Sequence, residues 1–537
     1  MSMRDAIAEG LASGWTAHDA SRLTSELRLE ADVAIVGTGA GGGTAAEILS
    51  NAGLRVVMIE EGPLRSAADF HMLESEAYPQ LYQESAGRKT RDKGINILQG
   101  RCVGGSTTVN WTSSFRTPPQ TLDYWQRNFG LAELTVEELA PWFAMMERRL
   151  DIAPWEITPN ANNDALRRGA ERLGIPIGVM RRNVKGCWNL GYCGVGCPVD
   201  AKQSMLITTI PAALSRGAVL VSRARAQRLV LENDRVAGVE CIALDAGGLR
   251  PGRHKVMVTA RHTVLAAGAI GSPALLLRSQ APDPHGLAGR RTFLHPTCVS
   301  AAVMPDRVDG YAGAPQSIYS DHFLDIQPVD GPVGYKLEVP PLHPLLMATT
   351  LQGFGGFHAE LMREMPFTQA IIALMRDGFH PQSPGGTVAL KGDGSPVVDY
   401  PLTDVLWDGM RRALLTMAEI QFAAGANAVL PVHEQAVAYS SWAEAKAAIE
   451  RLPMELLKAR VVSAHVMGGC AMGRDPQTSV VDSKGGHHQL ANLSVFDGSV
   501  FPTSIGANPQ LSIYGLTARN ASRLAAELTG RPAPAIA

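Results

Sequence analysis

The stretch DVAIVGTGAGGGTAAEILS, residues 32–50, decides the fold. Val33, Ala34, Ile35 and Val36 form a short apolar run ended by glycine, which reads as a buried strand. An alanine-rich stretch follows to about Ala52 and reads as a helix. A second apolar run, LRVVMIEEG from Leu54, reads as the next strand. Strand, helix and strand in this order make a βαβ unit, the opening of a parallel sheet. Gly37, Gly39 and Gly42 stand at G-x-G-x-x-G spacing on the turn between strand and helix. The first permits the tight turn, the second lets a pyrophosphate approach the backbone, and the third lets helix and strand pack closely. The helix N-terminal amides then face the phosphates. Glu60 ends the second strand 23 residues after Gly37, where a carboxylate can accept hydrogen bonds from a ribose diol. The pattern predicts a dinucleotide site without choosing between NAD and FAD.

Outward from this unit, residues 118–182 turn helical, with tryptophans and with prolines between segments. Between Ala218 and Val258 the apolar period becomes two, around turn signals at Asn233-Asp234 and Gly247-Gly248, which predicts an antiparallel meander. HTVLAAGAIGSPALLL returns to strand, small-residue turn and helix. GGTVALKGDGSPVVDY reads as a hairpin, ANLSVFDGSV as a further strand and NPQLSIYGLTARNASRLAAEL as a closing helix. Dinucleotide-type elements therefore flank inserted material. At 537 residues the chain is long for one core and predicts two intertwined domains.

The composition is that of an ordinary globular protein, 45% hydrophobic and 19% charged, with a net charge of -2. That balance gives no reason to expect nucleic acid or an anionic membrane as partner. Glycine, 54 of 537, is enriched. The longest apolar run, residues 263–277, is interrupted by Gly268, Gly271 and Pro273 and is shorter than the ~18 residues a span requires. MSMRDAIAEGLASGW reads as a short amphipathic helix rather than a signal peptide. Seven cysteines in no disulfide framework make a reducing, cytoplasmic compartment the default.

Several further segments carry a resemblance. GRCVGGSTTVNW from Gly100, LAAGAIGSPALLLRS from Leu265, SAHVMGGC, NLSVFDGSVFP and GANPQLSI occur in this order and resemble sequence blocks of the glucose–methanol–choline (GMC) oxidoreductases. The tail is similar to cholesterol oxidases and long-chain alcohol oxidases. The resemblance implies an α/β fold: a Rossmann-like FAD-binding domain with parallel sheet and meander, plus an inserted α+β substrate domain. The expected limits are an N-terminal helical extension at 1–29, an FAD domain at 30–115, 205–299 and 460–530, and a substrate domain at 116–204 and 300–459. It further implies FAD held through Gly37, Gly39, Gly42 and Glu60 on the ADP half. Gly104, Gly105, Ser106 and Asn110 would face the pyrophosphate and isoalloxazine, the Ala226 backbone the adenine, and Asp497 the ribityl or pyrophosphate, with Arg101, Gly498 and Asn508 also at the cofactor. Some members attach FAD through a His just before the block's Asn; Val109 stands here, which implies non-covalent FAD.

Alcohol oxidation by flavin needs a group that takes the hydroxyl proton while the carbinol hydrogen leaves as hydride. A neutral imidazole suits that task near pH 7. His465 matches the family's catalytic histidine and Asn508 its second active-site residue, which can orient the alcohol. His487 and His488, in a polar turn, read as solvated; His343 and His433 suggest loop packing, and His295, in FLHPT, resembles a family position near the edge of the flavin domain. Cys187, Cys193 and Cys197 lie at C-x5-C-x3-C in a glycine-rich loop. This spacing resembles the [3Fe-4S] segment of FAD-dependent sugar and gluconate dehydrogenases, whereas GCPVDAKQS resembles long-chain alcohol oxidases, where no cluster is generally assigned. Iron–sulfur ligation, reduced structural thiols, and a disulfide or zinc site all stay open. A cluster would mean a polyol dehydrogenase passing electrons to a cytochrome- or quinone-linked subunit, periplasmic or membrane-associated through that partner. The Met-, Leu- and Phe-rich stretch from Pro340 could wall a cavity for an apolar, long-chain, cyclic or sterol-like alcohol, or be ordinary core. A flavin-dependent lyase on the same fold and an NAD-dependent dehydrogenase are the alternatives in class.

Overall fold

The computed structural model describes residues 5–536; residues 1–4, the start of the predicted amphipathic helix, lie outside the described residues. Strand Leu27–Val36, helix Ala40–Asn51 and strand Val56–Ile59 form the βαβ unit. Its sheet runs Thr16–Asp19, Val219–Ser222, Val56–Ile59, Leu27–Val36, Pro251–Leu265, Arg235–Leu244, Ala224–Glu232, with Leu493–Val495 beside Pro251–Leu265. The 15-residue strand Pro251–Leu265 joins two kinds of pairing. One edge pairs antiparallel with Arg235–Leu244, making the meander, while Val256 to Leu265 run parallel to Leu27–Val36. The 1–29 segment departs from the helical expectation. Helix Ala6–Ala12 is followed by Thr16–Asp19, whose pairing with Val219–Ser222 makes it the sheet's edge.

Among the described residues a second eight-stranded sheet runs Ile95–Ile97, Val461–Ser463, Thr297–Val303, Thr368–Met375, Tyr335–Glu338, Ile318–Ser320, Gly178–Val179, with Ala428–Pro431 beside Thr297–Val303. Helix Asp404–Ala423 packs on it through Leu406, Met410, Leu414 and Met417. Ile95–Ile97 and Val461–Ser463 lie in chain segments expected in the FAD domain, yet they pair with each other, and Val461 and Val462 pair with Cys298 and Thr297 of this second sheet. The chain thus passes between the two sheets more often than the sequence blocks suggest. The hairpin is Gly386–Leu390 with Pro396–Asp399. The Met-rich stretch forms helices Pro344–Thr350 and Gly355–Arg363. Met347 and Leu351 join Val299 and Val432 in a small core cluster of their own.

The βαβ turn is set by backbone contact. A Cβ on Gly42 would lie 1.9 Å from the Gly37 carbonyl oxygen, and one on Gly41 would lie 1.5 Å from that of Phe496. Gly37 has φ +98°, a left-handed conformation that only glycine adopts without strain. Gly42→Ala is expected to cost about 1–3 kcal/mol of overpacking. A lowered thermal midpoint checks this, and an unchanged midpoint would contradict the packing described.

Candidate active site

A cavity of about 680 Å³ lies where the βαβ turn, the 98–113 segment, the meander and the C-terminal loops meet. Gly37, Gly39, Glu60, Arg101, Gly105, Ser106, Asn110, Ala226, Asp497, Gly498, His465 and Asn508 all line it. Gly42 and Gly104 stand outside the lining. Gly42 packs the turn, while Gly104 donates its N–H to Thr38 Oγ1 at 3.0 Å.

The cradle is built by hydrogen bonds. Glu60 accepts from Thr38 N (3.1 Å), Thr38 Oγ1 (2.6 Å) and Gly62 N (2.9 Å). Burial raises its pKa above the usual carboxylate value, against those donors. Asp497 accepts from Gly268 N (2.9 Å) and Ser272 Oγ (2.5 Å), at the start of helix Gly268–Arg278, and from Ser499 N (2.8 Å). Arg101 donates to Glu61 at 3.2 Å and to the Gly248 carbonyl. Ser106 Oγ accepts from Gly100 N, and Asn110 Nδ2 donates to Gln510 Oε1 at 2.7 Å. Gly39 is different from Gly41 and Gly42: the nearest protein atom to its Cβ position is Gly105 Cα, at 3.9 Å. Its missing side chain leaves room in the cavity rather than contact with the protein. A cavity of this size, floored by glycine backbone at the start of a helix, fits an extended dinucleotide such as FAD.

His465 stands between strands Val461–Ser463 and Met467–Gly468, and Asn508 precedes helix Gln510–Thr529. Asn508 Nδ2 lies 3.5 Å from His465 Nε2 and donates to Glu338 Oε2 at 3.3 Å. Behind this pair, His295 Nδ1 lies 3.1 Å from His465 Nδ1. Glu338 and Lys336 sit two residues apart on strand Tyr335–Glu338, both fully buried. Lys336 Nζ pairs with Asp321 at 2.7 Å and lies 3.4 Å and 4.0 Å from the ring centroids of Phe115 and Tyr319. Burial, then the Lys336 charge, hold the His465 pKa down at about 4. Burial pushes Glu338 up to about 7, and the nearby Lys336 cation and the Asn508 hydrogen bond oppose it. The Asn508 Oδ1 and Glu338 Oε1 atoms are buried with no partner among the described residues.

The sequence reading did not find Glu338, Lys336 or Thr38, and gave His295 no more than a likeness to a family position near the edge of the flavin domain. It is corrected at one point and narrowed at another. His487 is buried, with its pKa lowered to about 4 by burial, because its N–H bonds the Leu493 carbonyl and folds the turn onto the strand. Of the two readings of the stretch from Pro340, cavity wall gives way to core: none of it lines the cavity, Met347 and Leu351 pack in the separate cluster, and Phe354 is exposed.

Cys187, Cys193 and Cys197 are free, half-buried thiols. Asn189 N donates to Cys187 Sγ (3.4 Å), and Arg182 Nη2 lies 3.7 Å from Cys193 Sγ. Lys202, fully buried by its neighbours, donates to the carbonyls of Cys193, Thr108 and Asn110, tying the loop to the cavity wall. Among the described residues no group of three His, Cys, Asp or Glu side chains is disposed to hold a metal ion. The three sulfurs as arranged do not fit an iron–sulfur cluster.

The chain belongs to the GMC oxidoreductase family: the family's N-terminal model matches residues 78–297 and its C-terminal model residues 381–517. It is 32% identical over 508 residues to an uncharacterized GMC-type oxidoreductase of Sinorhizobium fredii, covering 93% of this chain and 95% of that one. A long-chain-alcohol oxidase of Arabidopsis thaliana is 28% identical over 523 residues, covering 93% of this chain and 67% of that one. In fold the chain is similar to an Aspergillus oryzae formate oxidase variant, with TM-score 0.70 and 16% identity over 94% of this chain and 99% of that one. Family and relatives make this an FAD-linked oxidoreductase acting on CH–OH donors. No helix among the described residues is long and apolar enough to cross a membrane.

Gly39→Val is expected to fold with the melting profile of the wild-type apoprotein and to purify without flavin absorbance, since a Cβ there meets no protein atom closer than 3.9 Å and points into the cavity. Full flavin occupancy in the variant would remove Gly39 from the site.

Proposed function

We propose that this protein oxidises an alcohol carrying an apolar substituent to the aldehyde or ketone, with His465 Nε2 accepting the hydroxyl proton and Asn508 orienting the oxygen. The observation that carries the reading is the pairing, on one cavity wall, of a neutral imidazole with an amide whose Oδ1 has no other partner. FAD bound in the cavity supplies the hydride acceptor. His465 is neutral above a pH of about 4, so it can take a proton at ordinary pH. Asn508 Oδ1 can accept from the alcohol hydroxyl, while Glu338 holds Nδ2 and fixes which way the amide points. FAD is held without a covalent bond, as Val109 offers no nucleophile where some relatives attach it.

The preference for an apolar alcohol rests on the likeness to the plant long-chain-alcohol oxidase and on the Trp111 ring in the cavity wall. It takes nothing from the Pro340 stretch. The polyol-dehydrogenase alternative depended on a cluster that the three thiols do not fit, and no electron-acceptor subunit is invoked. Medium- and long-chain alkanols should therefore bleach the flavin under argon faster than glucose or gluconate; bleaching by polyols alone would sink the substrate class.

His465→Ala should retain FAD and lose about 10²–10⁴-fold in anaerobic flavin reduction by alcohol. In the wild type the rate should rise with pH through about 4, as imidazolium loses its proton, and again through about 7, as Glu338 ionises and holds Asn508. Glu338→Gln keeps an acceptor that does not titrate, so the upper limb alone should vanish. An unchanged upper limb in Glu338→Gln, or near wild-type reduction in His465→Ala, would contradict these roles.

A further inference from the structure

His295 has an unusual setting for a side chain outside the cavity lining. It is fully buried, and its φ of 49° lies in the left-handed region, which a residue with a side chain occupies at some cost. The conformation is held from beneath. Asp377 Oδ2 accepts from Leu294 N (3.1 Å), His295 N (3.4 Å) and the Tyr400 hydroxyl (2.6 Å). What this arrangement delivers is the His295 ring against the far nitrogen of His465, with centroids 5.2 Å apart and planes at 34°.

The proton positions follow from who can donate. Above a pH of about 7 Glu338 is ionised and can only accept, so the NH2 of Asn508 faces it, and that same NH2 faces His465 Nε2. A proton on Nε2 would set N–H against N–H. Nε2 therefore carries the lone pair, and in a neutral imidazole the proton must then sit on Nδ1. Nδ1 meets His295 Nδ1 at 3.1 Å, which must be the acceptor. His295 carries its own proton on Nε2, a buried atom with no partner among the described residues. Both rings remain neutral at ordinary pH: burial lowers each pKa, and the Lys336 cation adds to this in both.

We propose that His295 is a positioning residue that fixes His465 as its Nδ1–H tautomer, leaving the Nε2 lone pair aimed at the substrate hydroxyl. The inference rests on the reading of His465 as proton acceptor. Without His295, the His465 Nδ1–H would lose its acceptor in a buried setting, and the ring would turn or move its proton to Nε2. In that tautomer the nitrogen facing the alcohol can no longer take a proton.

Two substitutions separate this role from packing. His295→Asn tolerates the left-handed backbone and puts an amide oxygen where Nδ1 stood. His295→Gly tolerates the backbone and offers no acceptor. In holoenzymes matched for flavin content and melting midpoint, His295→Gly is expected to slow anaerobic flavin reduction by an alkanol by about 10- to 10⁴-fold, the upper figure being what the wrong tautomer costs in a serine protease. His295→Asn is expected to recover most of the loss. The second readout needs no turnover: in ¹⁵N-histidine spectra of the wild type, the His465 signals, identified by their disappearance in His465→Ala, should show a protonated Nδ1 and a bare Nε2. In His295→Gly the Nε2 should gain proton character. A protonated Nε2 in the wild type, a His295→Gly enzyme as fast as wild type, or a His295→Asn enzyme no better than His295→Gly would overturn the proposal. If no alcohol reduces the wild-type flavin, the functional reading fails, and the tautomer spectra still decide the His295 assignment.

Discussion

Backbone lying against backbone around the βαβ turn is the contact on which the rest of the structure depends. At Gly37 the Ala266 carbonyl oxygen stands 2.3 Å from where a Cβ would be, and at Gly41 the Phe496 carbonyl stands at 1.5 Å. Segments more than 200 residues apart in sequence are drawn together there without intervening side chains. Because they meet, Glu60, Asp497 and the start of helix Gly268–Arg278 share one cavity, and His465 and Asn508 are brought to the same wall. Had Gly37 or Gly41 carried a side chain, these segments would be pushed apart and His465 and Asn508 would lose their common frame.

The second organising element is charge held in a dry place. Lys336 is paired to Asp321 and enclosed by two aromatic rings, so its position is fixed. It opposes protonation of His465 and His295 and favours ionisation of Glu338. In the proposed function, a base that must be neutral and a carboxylate that must accept are served by the same cation. This is the pattern expected where an active site sets protonation states through burial and a neighbouring charge.

Much of this was legible in the sequence, because glycine spacing and strand–turn–helix order report backbone geometry directly. The βαβ unit, the meander, the hairpin and the closing helix could be read from their periods and turn residues. The missing parts share a physical cause. Tyr335-Lys336-Leu337-Glu338 alternates as an edge strand with its charged face in water would, yet all four residues are buried, since Lys336 and Glu338 find partners on Asp321 and Asn508. His295 gains its meaning from a partner 170 residues away. His487 looked solvated in a run of glycine and polar residues, but a backbone hydrogen bond folds it inward. The apolar stretch from Pro340 read equally as cavity wall or as core, because composition records hydrophobicity without saying which surface it will cover.

The central claim is that a carbinol hydrogen leaves for the flavin while His465 takes the hydroxyl proton. Anaerobic stopped-flow reduction of the flavin by an alkanol deuterated at its carbinol carbon tests this most directly. The account predicts a bleaching rate several-fold slower than with the protiated alcohol, at equal alcohol affinity, because the broken C–H bond is the hydride donor. Bleaching at the same rate with both isotopologues would separate the chemistry from the observed step. No bleaching with any alcohol would contradict the account outright.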